Sequence, residues 1–165
     1  MNYEIIQLDE FSGSKATISS VLPYGKELTL FDEFVEEYKT EFPDEILSIA
    51  DLLEDMGFKY GIRENLITTK EGKPGDGVIA IYDYPDKNLR LYGIRFGSTI
   101  LILGSGGFKS KEIMAWQEDQ KLTKEAEIVI KISKEISQRI EEKEIIFSED
   151  GLQLTGNLNF SNYDN

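Results

Sequence analysis

"LRLYGIRFGSTILILGSGGFKSK", residues 89–111, is the stretch whose reading decides the fold. Its two runs, LRLYGIRF and STILILG, are rich in leucine, isoleucine and aromatics, and Gly97 sits between them where a hairpin needs a positive φ. A third run, GVIAIYDY, lies just upstream and joins through PDKN, a link of hairpin length. The three predict an antiparallel meander with a basic, aromatic strand at its centre. The stretch ends in three glycines, an aromatic and two lysines, an order shared with phosphate-holding loops. Its spacing excludes the usual ones. A Walker loop places four residues between its glycines, then Lys and Ser or Thr, whereas GSGGFKSK is shorter and carries Phe108 where the backbone must stay open. A dinucleotide fingerprint belongs early in a βαβ unit, and this strand closes a meander. The aliphatics therefore predict a core strand and the glycines a tight exit from it.

Working outward, NYEIIQL predicts a first strand and TISSVL a short second one. From Phe31 the period changes, and Phe31, Phe34, Val35 and Tyr38 share one helical face. Thr29 is placed to cap this helix, with Asp32 and Glu33 at its positive end. Pro43 opens a second helix, PDEILSIADLLEDMG, with Ile46, Ile49, Ala50, Leu53 and Met56 inward and Gly57 as its stop. On the C-terminal side a short helix is expected around SKEIMAWQE, then a long one over TKEAEIVIKISKEISQRIEEK. There Ile128, Ile132, Ile136 and Ile140 recur every four residues as a packing row. EIIFSEDGLQL predicts a hairpin turning at Asp150-Gly151, before an Asn-rich tail. The fold class is α+β: an N-terminal strand, a two-helix hairpin, a three-stranded antiparallel meander, a long C-terminal helix and a terminal β-hairpin, as a single domain over residues 1–165.

With 165 residues the chain can bury a real core. It has no cysteine and no histidine, which removes disulfides, thiolate chemistry, Ser-His-Asp triads and ordinary zinc sites. No metal site and no cofactor are expected. No apolar run approaches the roughly 20 residues of a membrane span, and MNYEIIQLDE lacks the basic start of a signal peptide. A soluble cytoplasmic protein with no membrane partner is the expectation. The net charge of −13 opposes non-specific adhesion to nucleic acid. It is unevenly spread: residues 1–60 hold 14 acids and 4 bases, whereas residues 87–111 hold Lys87, Arg90, Arg95, Lys109 and Lys111 and no acid.

RNA cleavage without histidine can proceed by positioning the 2′-hydroxyl and stabilising the charged phosphorane with Arg and Lys, while Tyr or Lys carries protons. Arg90, Tyr92, Lys109 and Lys111 are the residue types this chemistry needs. Arg90 and Tyr92, two apart on a strand, share a face, while Arg95, a candidate RNA-binding residue, falls on the other parity unless a bulge intervenes. Equally, an Arg–Tyr pair on a strand can simply shield a sheet face.

The layout of a strand, a two-helix hairpin and a meander, with LRLYGIRF, TILILG and GFKSKEI in that order, resembles the RelE/ParE superfamily of bacterial toxins, RelE and HigB types included. The likeness spans residues 30–120, with 121–165 as a C-terminal extension. It implies a metal-independent endoribonuclease cutting mRNA on the ribosome, or a gyrase poison, with an antitoxin as partner. By position, Arg90 matches the strand arginine that holds RNA phosphate. Lys109 and Lys111 match the basic residues after the last strand, and Lys70 or Lys73 those of the loop before the meander. Two departures stand out. The chain is long and acidic where RelE-type toxins are compact and basic, and the tyrosine or histidine that family nucleases use near the C-terminal end has no evident counterpart after Lys111. The extension can occupy the place where an antitoxin packs, which would make a self-covered relative. The competing reading is a non-catalytic interaction module whose acidic N-terminal helices dock a basic partner. Charge placement separates them: a nuclease needs Arg90, Tyr92, Lys109 and Lys111 on one open concave face, and Arg90 buried against a carboxylate beneath the terminal helix opposes cleavage.

Overall fold

A computed structural model describes residues 1–64, 67, 68, 77–109 and 115–161. In chain order the elements are β1 (Tyr3–Gln7), β2 (Thr17–Pro23), α1 (Leu30–Tyr38), α2 (Pro43–Asp55), β3 (Ile67–Thr68), β4 (Val78–Ile81), β5 (Leu89–Phe96), β6 (Ile100–Phe108), α3 (Ala115–Glu141), β7 (Ile145–Phe147) and β8 (Leu154–Gly156). The meander does not stand alone. Strands β1 to β6 form one mixed sheet in the order β1-β2-β6-β5-β4-β3, and β7-β8 is a separate hairpin. The predicted meander β4-β5-β6 is antiparallel throughout, and β2 joins its far side in parallel with β6, Thr17 opposite Ile100.

Strand alternation sorts the core into two. Ile79, Ile81, Leu89, Leu91, Leu101 and Leu103 face Phe31, Phe34, Ile49, Leu53 and Met56 of the α1–α2 pair. Val78, Ala80, Tyr92, Ile94, Ile100 and Ile102 face Leu122, Ala126, Val129, Ile132 and Ile136 of α3. The sheet is therefore buried on both faces, which is why ILIL, residues 100–103 of β6, is a continuous apolar run rather than an alternating one. The helix signals were accurate at their starts. Thr29 Oγ1 accepts from the Asp32 amide (3.1 Å) while the Asp32 carboxylate accepts from the Thr29 amide (3.2 Å), a full capping box. Pro43 occupies the first turn of α2.

Four boundaries differ from expectation, each for a local reason. Gly57 does not stop α2: the chain continues through a π turn, Met56–Tyr60, and ends at Gly61 with φ 73°. A Cβ on Gly57 would lie 1.7 Å from the Phe11 carbonyl oxygen, so glycine there serves close packing. The expected separate helix around SKEIMAWQE is, from Ala115 on, the start of α3 itself. Strand β4 stops at Ile81, because Tyr82 turns the backbone left-handed with φ 61°. Finally, the glycines after ILIL are not an exit: β6 runs through them to Phe108. Leu91 pairs with Gly106 and Gly93 with Leu103, so β6 spends three steps against two on β5, a bulge at Gly104–Ser105. A Cβ on Gly106 would fall 1.8 Å from the Arg90 carbonyl oxygen, and one on Gly104 would fall 2.4 Å from Val129 Cγ2. Glycine is required there by the neighbouring strand and by the close approach of α3.

The C-terminal hairpin turns at Gly151 (φ 73°), as its Asp-Gly pair predicts. The chain then returns to cover the open edge of β1. The Ile5 amide donates to Leu158 (3.0 Å), the Phe160 amide donates to Tyr3 (2.7 Å), and the Tyr3 and Phe160 rings stack at 4.8 Å. Arg139 of α3 sits 3.7 Å from the Phe160 ring centroid and donates to the carbonyls of Asn157 and Asn159. A polar tail thereby becomes an edge cover, satisfying backbone groups that would otherwise offer a pairing surface. No helix among the described residues is long and apolar enough to cross a membrane.

Candidate anion-binding site

The basic residues singled out in the sequence separate into three groups. Arg90, on the second residue of β5, and Lys109, just past the end of β6, belong together because Arg90 pairs with Gly107 across the two strands. Both reach one oxygen of Asp83: Arg90 Nη2 lies 3.1 Å from Oδ1 and Lys109 Nζ 3.0 Å from it. Tyr92, on the same face as Arg90, accepts from Arg90 Nη1 at 3.3 Å. Arg95 does not join them. The bulge lies on β6, so the parity of β5 is unbroken and Arg95 points to the opposite face. There its Nε donates to the Gly97 carbonyl (2.6 Å) and its Nη1 lies 3.7 Å from Glu64. Lys70, Lys73 and Lys111 fall outside the described residues.

Tyr92 is 1% exposed. Its buried hydroxyl is held against the Arg90 guanidinium and so orients that side chain. The cations themselves are half-buried, and Asp83 faces both. Partial burial alone pushes the Asp83 carboxyl up, but the hydrogen bonds and charges of Lys109 and Arg90 outweigh it and hold the group below the usual carboxylate range. Of the four residues, Arg90, Tyr92 and Lys109 lie among the described residues, and they come together. They present a cation pair closed by a carboxylate.

The segment that carries Asp83 is a loop pinned at both ends. At its start Tyr82, buried at 4% exposure, holds a left-handed backbone that costs an L-residue about 1–2 kcal/mol. Its ring meets Tyr84 edge to face at 5.4 Å. At its far end Glu45 of α2 accepts from the Asn88 side chain (2.7 Å) and from the amides of Asn88 and Leu89. Lys109 adds a bond to the Tyr84 carbonyl, and its own amide donates to Asn88.

Beside this cluster, Lys121 of α3 reaches across the glycine stretch of β6. A Cβ on Gly107 would lie 3.5 Å from the Tyr38 hydroxyl and 3.6 Å from the Lys121 side chain. Lys121 Nζ donates to Glu37 (2.6 and 2.7 Å) and to the Tyr38 hydroxyl (2.8 Å), tying α3 to α1. These partners raise its pKa despite the opposing effect of burial.

Sequence reasoning missed Asp83, Glu45 and Lys121. Asp83 was within reach: with Ile81 opposite Leu91, hairpin arithmetic sets residues 82–83 beside 89–90, next to Arg90. Lys121 carried no local signal, since its partners are 84 and 83 residues away. Among the described residues no group of three Asp or Glu side chains is arranged to hold a metal ion. Comparison with family models, with characterised proteins and with solved structures finds no match.

Proposed function

We propose that this chain is a self-covered relative of the RelE/ParE-type toxins, built round an anion-binding pair, Arg90 and Lys109, that is directed at RNA phosphate. One observation carries the reading: two cations from adjacent strands of the meander converge on a single oxygen at 3.0 and 3.1 Å, the geometry in which charge-assisted donors hold an oxyanion. Arg90 is fixed by Tyr92 and a strand backbone, so the pair is preorganised. Cleavage finds less support than binding. Tyr92 is buried, Arg90 lies against a carboxylate, and the protein's net charge of −13 repels RNA at any distance where it is unscreened. The in-cell test is expression of the full chain in a bacterium. Slowed growth, relieved by Arg90→Ala combined with Lys109→Ala, is the expected result. Growth unaffected by the presence or absence of these two side chains favours the second reading.

That second reading is the non-catalytic interaction module, and a separate observation favours it. Asp44, Leu47, Asp51 and Glu54 follow one face of α2, all exposed, with Leu47 at 64%. None of the three acids is ion-paired among the described residues. An uncompensated acidic stripe around an exposed leucine suits a basic protein surface with an apolar centre.

A further inference from the structure

We infer that Asp83 is a resident anion of the Arg90–Lys109 site: it stands where a phosphate oxygen would bind, and RNA gains the site only when the 82–88 loop carries Asp83 away. This inference rests on the phosphate-binding reading above and adds its regulation.

Three features distinguish a displaceable occupant from a permanent structural bridge. First, the cations and the anion are carried differently. Arg90 belongs to β5 and Lys109 follows β6 directly, whereas Asp83 lies on the connection between β4 and β5. A shift of its first half, which carries Asp83 and Tyr84, removes the carboxylate and the Tyr84 carbonyl from Lys109, while the bond of the Lys109 amide to Asn88 and the β5 backbone keep both cations in place. Secondly, the connection is held by an unfavourable conformation. The left-handed Tyr82 ends β4 and sets the path of Asp83, and such a backbone persists only while its surroundings impose it. Thirdly, the site is at the end of the sheet and is not sealed: the side chains of Asp83, Lys109 and Arg90 keep 16%, 15% and 24% of their surface. A solvent anion can therefore compete for the same donors. Free phosphate and the phosphodiester of RNA offer the same oxyanion, and they differ in the additional contacts a strand can make.

The test compares the full chain with Asp83→Asn, which keeps the side-chain shape and removes the charge. Asp83→Ser serves as a second variant, and thermal unfolding verifies that each is folded. The probes are a fluorescein-labelled single-stranded RNA, followed by anisotropy at low ionic strength, and inorganic phosphate, followed by the rise in unfolding midpoint. The expected result is RNA binding at least about tenfold tighter in Asp83→Asn than in the parent chain, the loss of one charge-assisted competitor being worth at least that factor. The gain must disappear when Arg90→Gln and Lys109→Gln are added. Phosphate that stabilises the variant without any RNA binding assigns the site to small anions and overturns the RNA arm. Equal RNA binding by parent and variant, dependent on Arg90 and Lys109, overturns the latch while leaving the phosphate-binding reading intact. If neither probe binds any folded variant, both fall. A gain that survives removal of Arg90 and Lys109 is a general charge effect and also overturns the latch.

Discussion

Arg90 and Lys109 share Asp83 in a half-buried corner of the sheet, whereas Asp44, Asp51 and Glu54 stand in solvent on α2 with no counter-ion among the described residues. The difference follows from dielectric and desolvation. A charge near the sheet cannot keep full hydration and must be compensated locally. A carboxylate on an outward helix face keeps its water and tolerates like-charged neighbours. With 31 acids and 18 bases, the protein places its surplus where repulsion is screened and uses its cations at junctions. Lys121 joins α3 to α1, Arg139 joins α3 to the tail, and Lys109 joins β6 to the 82–88 loop. Of the basic segment, Arg90, Arg95 and Lys109 are thus held within the fold rather than spread over an open surface.

The most damaging way to disturb the inner corner is to push its backbone. Gly106→Ala sets a methyl 1.8 Å from the Arg90 carbonyl oxygen, with no flexible side chain to yield. The β5–β6 bulge has to open, and a loss of about 3 kcal/mol is expected from overpacking at a buried strand pair. Urea unfolding reads this directly. A midpoint equal to that of the parent chain would show that the bulge is not fixed by this glycine.

Next in size is removal of the carboxylate. Asp83→Asn leaves two cations side by side and is expected to cost about 2 kcal/mol at neutral pH. The sign with pH follows from the lowered pKa of Asp83 in the folded protein. The unfolded chain binds the proton more tightly, so the stabilisation is fully present above the ordinary aspartate value of about 3.9 and is lost as pH falls through the folded-state value. Parent and variant should therefore differ in unfolding free energy above pH about 4 and converge below it. A gap that is constant across this range would mean that Asp83 acts through shape and not through charge.

How far the sequence foretold this corner depends on which part is considered. The elements were legible because periodicity and caps are local: Thr29, Pro43 and the Asp150-Gly151 turn act over a few residues, and all three behave as their chemistry requires. Arg90 and Lys109 were legible because strands alternate and the hairpin link is short. What was not legible required three-dimensional proximity. The glycines of β6 read as a turn because their real constraint is set by residue 129 on α3 and by the backbone of residue 90. Likewise the tail's polar composition says nothing of Arg139 and Tyr3, which hold it to the sheet edge from positions distant in the chain.

The outer face should respond by the smallest amount. Asp44→Lys, Asp51→Lys and Glu54→Lys together change six units of charge, yet stability should move by no more than about 0.5 kcal/mol, because exposed charges without partners contribute little. Two small effects oppose each other: Asp44 loses a favourable place in the first turn of α2, while self-repulsion in an acidic protein is reduced, and both should shrink with added salt. The same substitutions bear on the second functional reading. If the stripe docks a basic partner, association weakens strongly while folding does not, a separation that the inner corner cannot produce because binding and stability there use the same Arg90 and Lys109. A large loss of stability in this triple variant would mean that the acids of α2 are compensated after all, and the contrast between the two regions would collapse.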